Sequence, residues 1–174
     1  GFSRPNLSYS VIKEEGKHNR LIQLLQKVPG TALVYVRNRK LTREISIFLQ
    51  QKGFSADHYH AGLPPEERFR KQEDWIKNKT RIIVCTNAFG MGIDKPDVRL
   101  VVHLDVPETL EAYFQEAGRA GRDGNKSWAV LLYNENDIKS LETNFELSYP
   151  NVELIRKIYH ALCSYFQLAT GAGE

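Results

Sequence analysis

Cysteine is scarce in this 174-residue sequence. Cys85 and Cys163 stand apart, with no CxxC and no Cys/His spacing, which argues against a disulfide framework or a zinc knuckle and makes a reducing interior compartment the default. Long hydrophobic runs are missing as well. Nothing approaches the roughly 20 apolar residues of a membrane helix, and the start lacks the charged, apolar, small-residue order of a signal peptide, so neither secretion nor membrane spanning is expected. Neither charge sign dominates: 24 Lys+Arg stand against 21 Asp+Glu, a net +3. Internal repeats and low-complexity tracts are absent. Methionine occurs once, at Met91, and the sequence starts at Gly1, so the expectation is a piece of a longer protein.

What is present fits one soluble globular domain, 41% hydrophobic with mean hydropathy -0.44. A chain of this length buries roughly 70% of its unfolded surface without staples. Residues 1–60 carry 10 basic and 4 acidic side chains (+6) and the remainder 14 and 17 (-3). The asymmetry allows an anionic partner near the first half without demanding one.

Apolar strand-length runs alternate with helical spacing. Strands are expected at Leu7 to Ile12, Ala32 to Val36, Ala56 to Tyr59, Arg81 to Cys85, Arg99 to Leu104 and Ser127 to Tyr133. Between them, Leu21, Leu24, Leu25 and Val28 mark one helix, ended by Pro29-Gly30. Leu41, Ile45, Phe48 and Leu49 mark a second, Phe69 and Ile76 a third opened by Pro64-Pro65, and Leu110, Tyr113, Phe114 and Ala117 a fourth. The alternation predicts a three-layer α/β/α domain with a mostly parallel sheet. Asn136 to Phe145 reads as a short helix, broken by Tyr149-Pro150. Val152, Ile155, Ile158, Tyr159, Leu162 and Phe166 then give a C-terminal helix whose apolar stripe asks for a partner, and Gly-Ala-Gly at 171–173 reads as a linker.

In an open parallel sheet, ligands sit at the carboxyl ends of the strands. Those loops are Arg37 to Lys40, His60 to Gly62, Thr86 to Asp94 and Asp105 to Pro107, with a further turn at Gly118 to Gly124. The most informative stretch is Gln115-Glu116-Ala117-Gly118-Arg119-Ala120-Gly121-Arg122-Asp123-Gly124. Its two arginines at i and i+3 project to one side if the helical turn continues, and its glycines let backbone approach a bulky or anionic group. A guanidinium pair suits a polyphosphate or the charge on a transferring phosphoryl group, although solvated surface arginines give the same composition. Gly90 and Gly92 make the 86–94 loop a plausible phosphate cradle, with Phe89, Met91 and Ile93 as packing residues. Asp94 there can accept from a ribose hydroxyl or a motif arginine, or cap Lys95. Arg37, Arg39 and Lys40 at a helix start oppose its dipole and suit a nucleic-acid backbone, with Asn38 as a cap in the alternative reading. His60 is placed as a hydrogen-bond donor at a loop tip. His58 shares its strand face, but a third metal ligand is missing and no metal site is expected. His18, His103 and His160 read as incidental, and Cys85 as core.

No Gly-x4-Gly-Lys-Ser/Thr occurs, since Gly16-Lys17 is followed by His18, and no apolar strand ends in paired acids. The chain therefore lacks the parts that hold a nucleotide's phosphates and metal unaided, and any ATP would be met as the second wall of a shared cleft.

At these residues the chain resembles a family. Tyr35 to Lys40, Tyr59-His60-Ala61-Gly62-Leu63, TNAFGMGIDKPDVR at 86–99 and QEAGRAGRDG at 115–124 are similar to the second RecA-like domain of RecQ-type DNA helicases of superfamily 2. Phe2 to Leu7 also looks like that family's entry into this domain. The resemblance runs from about residue 2 to 135. It implies a RecA-like fold over residues 1–147, with 148–174 as a linker helix toward a following domain. It also implies an ATP-driven 3'-5' motor on single-stranded DNA that separates duplex DNA, its active site shared with a first RecA-like domain that binds most of the ATP and Mg2+. By motif, Arg122 would be the arginine finger with Arg119 beside it, and Gln115, Gly118, Gly92 and Asp94 would line the nucleotide cleft. Arg37, Asn38, Arg39, His60, Gly62, Thr86 and Asn87 would hold the DNA strand. The location implied is the cytoplasm, near a bacterial nucleoid, or a eukaryotic nucleus.

The family usually has Tyr-Cys-x-Ser-Arg where this chain has Tyr35-Val36-Arg37-Asn38-Arg39, so the serine's contact falls to Asn38 or is lost. A different class of reading keeps the fold as a nucleic-acid-binding or interaction module without an ATP role. The phosphate-facing arginine pair favours the motor.

Overall fold

The computed structural model describes residues 4–90 and 93–166. Two compact units divide it, residues 1–137 and 138–174.

The first unit is built on six strands: β1 (Leu7–Lys13), β2 (Thr31–Tyr35), β3 (Ala56–Tyr59), β4 (Ile82–Cys85), β5 (Val98–His103) and β6 (Ser127–Tyr133). They lie in the order β1-β6-β5-β2-β4-β3, and every pairing is parallel. The central strands β2 and β4 are buried along their whole length, which is why TALVY and IIVC are continuous apolar runs, while edge strand β1 alternates.

Alternate strand residues feed two cores. Ala32, Val34, Val84, Leu100 and Val102 meet Leu21 and Leu25 of α1 (Lys17–Lys27) and Ile45 and Leu49 of α2 (Arg39–Gln51). On the opposite face Leu33, Tyr35, Ile83, Cys85 and Val101 meet Trp75 of α3 (Pro65–Ile76) and Tyr113 and Ala117 of α4 (Leu110–Ala117). This is the three-layer α/β/α, RecA-like arrangement, with the sheet wholly rather than mostly parallel.

One connection departs from the alternation. β4 and β5 flank β2, so the segment between them must cross the sheet, and such a crossing is usually helical. Here the described residues of 86–97 form no helix. Phe89 and Ile93 instead seat the segment in the α3/α4 core. Lys95 anchors its far end, donating to the Ile76 carbonyl (3.1 Å) and to Asn78 Oδ1 (2.8 Å).

Helix starts follow their local chemistry. Asn38 caps α2 and Thr109 caps α4, each accepting from a backbone N–H three residues on. Pro65 opens α3, followed by Glu66 and Glu67 in the dipole-favoured first turn. Phe69 is exposed, and α3 buries Lys71 and Trp75 instead. In α5 (Glu135–Ser148) and α6 (Val152–Tyr165), Ile155, Ile158, Tyr159 and Leu162 are exposed along the apolar stripe of α6. The Gly-Ala-Gly at 171–173 lies outside the described residues.

Candidate functional site

The sequence-predicted residues gather in two places rather than one. At the carboxyl ends of β2, β3 and β4, Arg37, Asn38, Arg39 and Lys40 with Ala61, Thr86, Asn87 and Ala88 line a groove of about 600 Å³. Asn38 Oδ1 is committed to the α2 cap, accepting from Leu41 N–H at 2.8 Å. No acidic residue enters the first turn of α2; Arg39 and Lys40 are exposed at this positive helix end, with Lys40 3.5 Å from Glu44 one turn on, an arrangement an anion would relieve.

Neighbouring loops hold this rim. Arg37 N–H donates to the Asp105 carboxylate (2.7 Å), and its guanidinium donates to the Val106 carbonyl (3.2 Å). The Arg39 guanidinium lies over Gly62, where an added Cβ would come 2.8 Å from Nη1. His60 Nδ1 accepts from Gly62 N–H at 3.1 Å, so in the neutral ring Nε2 carries the proton and is the nitrogen that can donate. Burial, then the Arg39 charge, hold its pKa below the ordinary value, which suits an accepting, neutral ring. His58 lies with its ring 6.0 Å from that of His60, and among the described residues no group of three or more His, Cys, Asp or Glu could hold a metal ion.

The second place is on the α3/α4 face of the sheet. Asp94, Gln115, Gly118, Arg119 and Arg122 line an open cleft of about 1020 Å³ with Gly90, Ile93, Leu110, Glu111 and Phe114. Leu110 and Phe114, expected on the packed side of α4, are exposed at its rim. Gly92 lies outside the described residues. α4 stops at Ala117, so the arginines sit on turns beyond it, not on a continuing helix.

Those turns are fastened to the start of β5. Gly121 N–H donates to the Val98 carbonyl (2.9 Å) and Asp123 N–H to Pro96 (3.1 Å). From the other side Arg4 and Asn6 donate to the carbonyls of Gly118 and Gly121, both at 2.7 Å. Gly121 holds φ 66°, and a Cβ there would lie 2.6 Å from Asn6 Nδ2, so glycine is required by both conformation and space.

The two motifs meet through their arginines. Arg119 Nη1 donates to the Gly90 carbonyl at 2.6 Å, and Arg122 Nη1 pairs with Asp94 Oδ1 at 2.8 Å. Gly90, at φ 116°, leaves the space its missing side chain would fill to the Arg119 guanidinium. Its carbonyl is thus turned to the Arg119 guanidinium. The Arg122–Asp94 pair is open, with Asp94 81% and Arg122 38% exposed. Such a pair is worth at most about 1 kcal/mol, so a competing polyanion can displace it.

His103 is not incidental. It is buried, and its Nε2 lies 2.8 Å from Glu116 Oε2. Its ring stacks on Tyr35 at 5.1 Å and 14° and meets Tyr113 at 5.1 Å. A signal was available: His103 interrupts an otherwise apolar run from Leu100 to Leu104, at an alternate position shared with Val101.

Fold and sequence comparisons agree. The description "Helicase conserved C-terminal domain" matches residues 16–124, and the chain belongs to that family. Its relatives are RecQ-type helicases. It is 41% identical over 147 residues to the ATP-dependent helicase SGS1 of Saccharomyces cerevisiae, covering 82% of this chain and 10% of that one. It is 39% identical to the probable ATP-dependent DNA helicase RecS of Bacillus subtilis, covering 92% and 33%, and 42% identical to the ATP-dependent DNA helicase RecQ of the same organism, covering 79% and 24%. The chain thus spans a third or less of these relatives' length. A crystal structure of a DEAD box protein from Methanococcus jannaschii superposes with TM-score 0.68 at 28% identity, over 82% of this chain and 40% of that one.

Proposed function

We propose that this domain is the second motor lobe of an ATP-dependent 3'-5' DNA helicase, with Arg122 as the arginine finger on the γ-phosphate and Arg119 its neighbour. The observation that carries this reading is the convergence of Arg119, Arg122, Gln115 and Asp94 on one open cleft. Two guanidiniums fit the charge that develops on a transferring phosphoryl group. Arg122 would leave its weak, solvent-exposed pair with Asp94 to reach the phosphate. The sequence has no Gly-x4-Gly-Lys-Ser/Thr, so ATP and its Mg2+ would be held mainly by the first RecA-like domain, closing against this cleft.

The carboxyl-end groove suits single-stranded DNA. Arg37, Arg39, His60, Thr86 and Asn87 would hold phosphates and sugars with little base reading, the strand passing close over Gly62. Asn38, its Oδ1 engaged in the cap, would offer its side-chain amide where the family's serine acts. Both ligands can be held at once, because the 86–97 segment gives Thr86 and Asn87 to one place and Gly90 and Asp94 to the other. Nucleotide-driven closure and release of the two lobes would then advance the gripped strand.

The test is the ATPase rate of the protein extended upstream to include its first RecA-like domain, with and without single-stranded DNA. DNA stimulation is expected in the unmutated protein, and Arg122→Ala should lower turnover on the order of 10³ to 10⁵-fold while unfolding at the same temperature. The 174-residue chain alone should bind DNA weakly and with steep salt dependence and hydrolyse no ATP. Hydrolysis by that chain, or full activity in Arg122→Ala, would refute the reading; no stimulation in a folded protein would favour a binding module.

A further inference from the structure

Glu116 lies in the last turn of α4 and Arg119 in the turn that follows, its N–H donating to the Glu116 carbonyl at 3.2 Å. One set of contacts links their charged ends: His103, 2.8 Å from the Glu116 carboxylate, stacks on Tyr35, whose hydroxyl donates to the Phe89 carbonyl (3.4 Å), next to the Gly90 carbonyl that takes Arg119. Burial pushes the Tyr35 hydroxyl and the Cys85 thiol well above their ordinary pKa values, and on both groups Arg119 pulls downward while Glu116 pushes upward. Arg119 Nε is buried without a hydrogen-bond partner among the described residues. Yet no Glu116–Arg119 ion pair forms: the carboxylate goes to His103 Nε2 at 2.8 Å and the guanidinium to the Gly90 carbonyl at 2.6 Å. Because a carboxylate only accepts, Nε2 carries the proton. Stacking on Tyr35 and a tilted contact with Tyr113 hold the ring in that direction.

We infer that His103 is a positioning residue that withholds Glu116 from Arg119. An unclaimed carboxylate would be a stronger partner for the guanidinium than a neutral carbonyl. Capture would draw Arg119 off Gly90 and neutralise half of the arginine pair. The inference rests on the proposed role of Arg119 at the phosphate, and the test separates the two.

In the upstream-extended protein, His103→Phe keeps a stacked ring and removes the donor. Its kcat for ATP should fall roughly tenfold, because a captured Arg119 no longer offers its charge to the transferring phosphoryl group. Adding Glu116→Gln, whose amide has no charge with which to capture arginine, should restore kcat to within about threefold, and Glu116→Gln alone should stay near the unmutated rate. Undiminished activity in His103→Phe, or no recovery in the double variant, overturns the inference. Should His103→Phe fail to fold, His103→Asn, too short to reach Glu116, takes its place with the same outcomes. If Arg119→Ala proves fully active, the phosphate role fails instead. Capture is then read from the Arg119 Nε–H NMR resonance of the 174-residue chain, which should shift in the His103 variant and return on adding Glu116→Gln; an unmoved resonance overturns the inference.

Discussion

Gly90→Ala offers a direct test of the interlock between the two motifs. At φ 116° a side chain is strained, and the added Cβ would lie 2.1 Å from Arg119 Cζ, 2.4 Å from Nη1 and 2.5 Å from Nε. Backbone strain in that region costs about 1.5 kcal/mol. The guanidinium can swing aside, but only by giving up its bond to the Gly90 carbonyl, about 1.5 kcal/mol for a charged donor at a half-buried site. Gly90→Ala should therefore cost about 3 kcal/mol, and Arg119→Ala, which loses only the bond, about 1.5 kcal/mol. The two losses share one hydrogen bond, so the double variant should cost about 3 kcal/mol, not the 4.5 or so of independent effects. Urea unfolding of the four 174-residue chains measures all three differences. Strict additivity would refute the interlock, because Gly90 would then be required by its backbone alone.

Two further outcomes concern stability. Hydrogen bonds from Arg99 and then Asn125 hold the Asp123 carboxyl well below the usual carboxylate range, so its contribution is present above about pH 4 and lost as pH falls through the lower native value. Asp123→Asn should flatten the acid limb of the stability profile, read by unfolding at a series of pH values; an unchanged limb would refute the assignment. Lys71, 4% exposed, pairs with Asp57 and, at 3.5 Å, with Glu67. Asp57→Ala should cost about 2–3 kcal/mol by leaving the ammonium poorly compensated, and adding Lys71→Met should recover most of it. Absence of that recovery in chemical unfolding would show that Lys71 was not the source of the loss.

The strand order of burial was legible because central parallel strands must be apolar throughout, and TALVY and IIVC say so in five and four letters. Helix faces were harder to read. Hydrophobicity ranks Phe69 above Lys71, yet α3 turns Lys71 inward because Asp57 on β3 meets its ammonium. In α4 the periodicity was right, but it cannot distinguish a side packed on the sheet from the rim of a cleft, and Leu110 falls on the latter. The arginine motif could be read as a unit because its residues are close in sequence. Its attachment to Gly90 and Asp94 joins positions 29 and 28 residues apart, and its docking on Arg4 and Asn6 spans more than 110. His103 was undervalued for a related reason: its partner lies on another element, and a lone histidine carries no local sign of one.

The crossing from β4 to β5 without a helix bears on how this domain can vary. A helix satisfies its own backbone along its length, whereas this strap closes two local turns, Phe89 N–H to Thr86 and Ile93 N–H to Gly90, and is held in place by other elements: by Arg119 at the Gly90 carbonyl, by the Lys95 ammonium reaching back to the end of α3, and by Phe89 and Ile93 in the core. Its shape is thus partly written in residues of α3 and of the turn after α4. A substitution in that turn would be felt along the strap as far as Thr86 and Asn87, so the groove and the cleft inherit each other's changes and neither is free to drift alone.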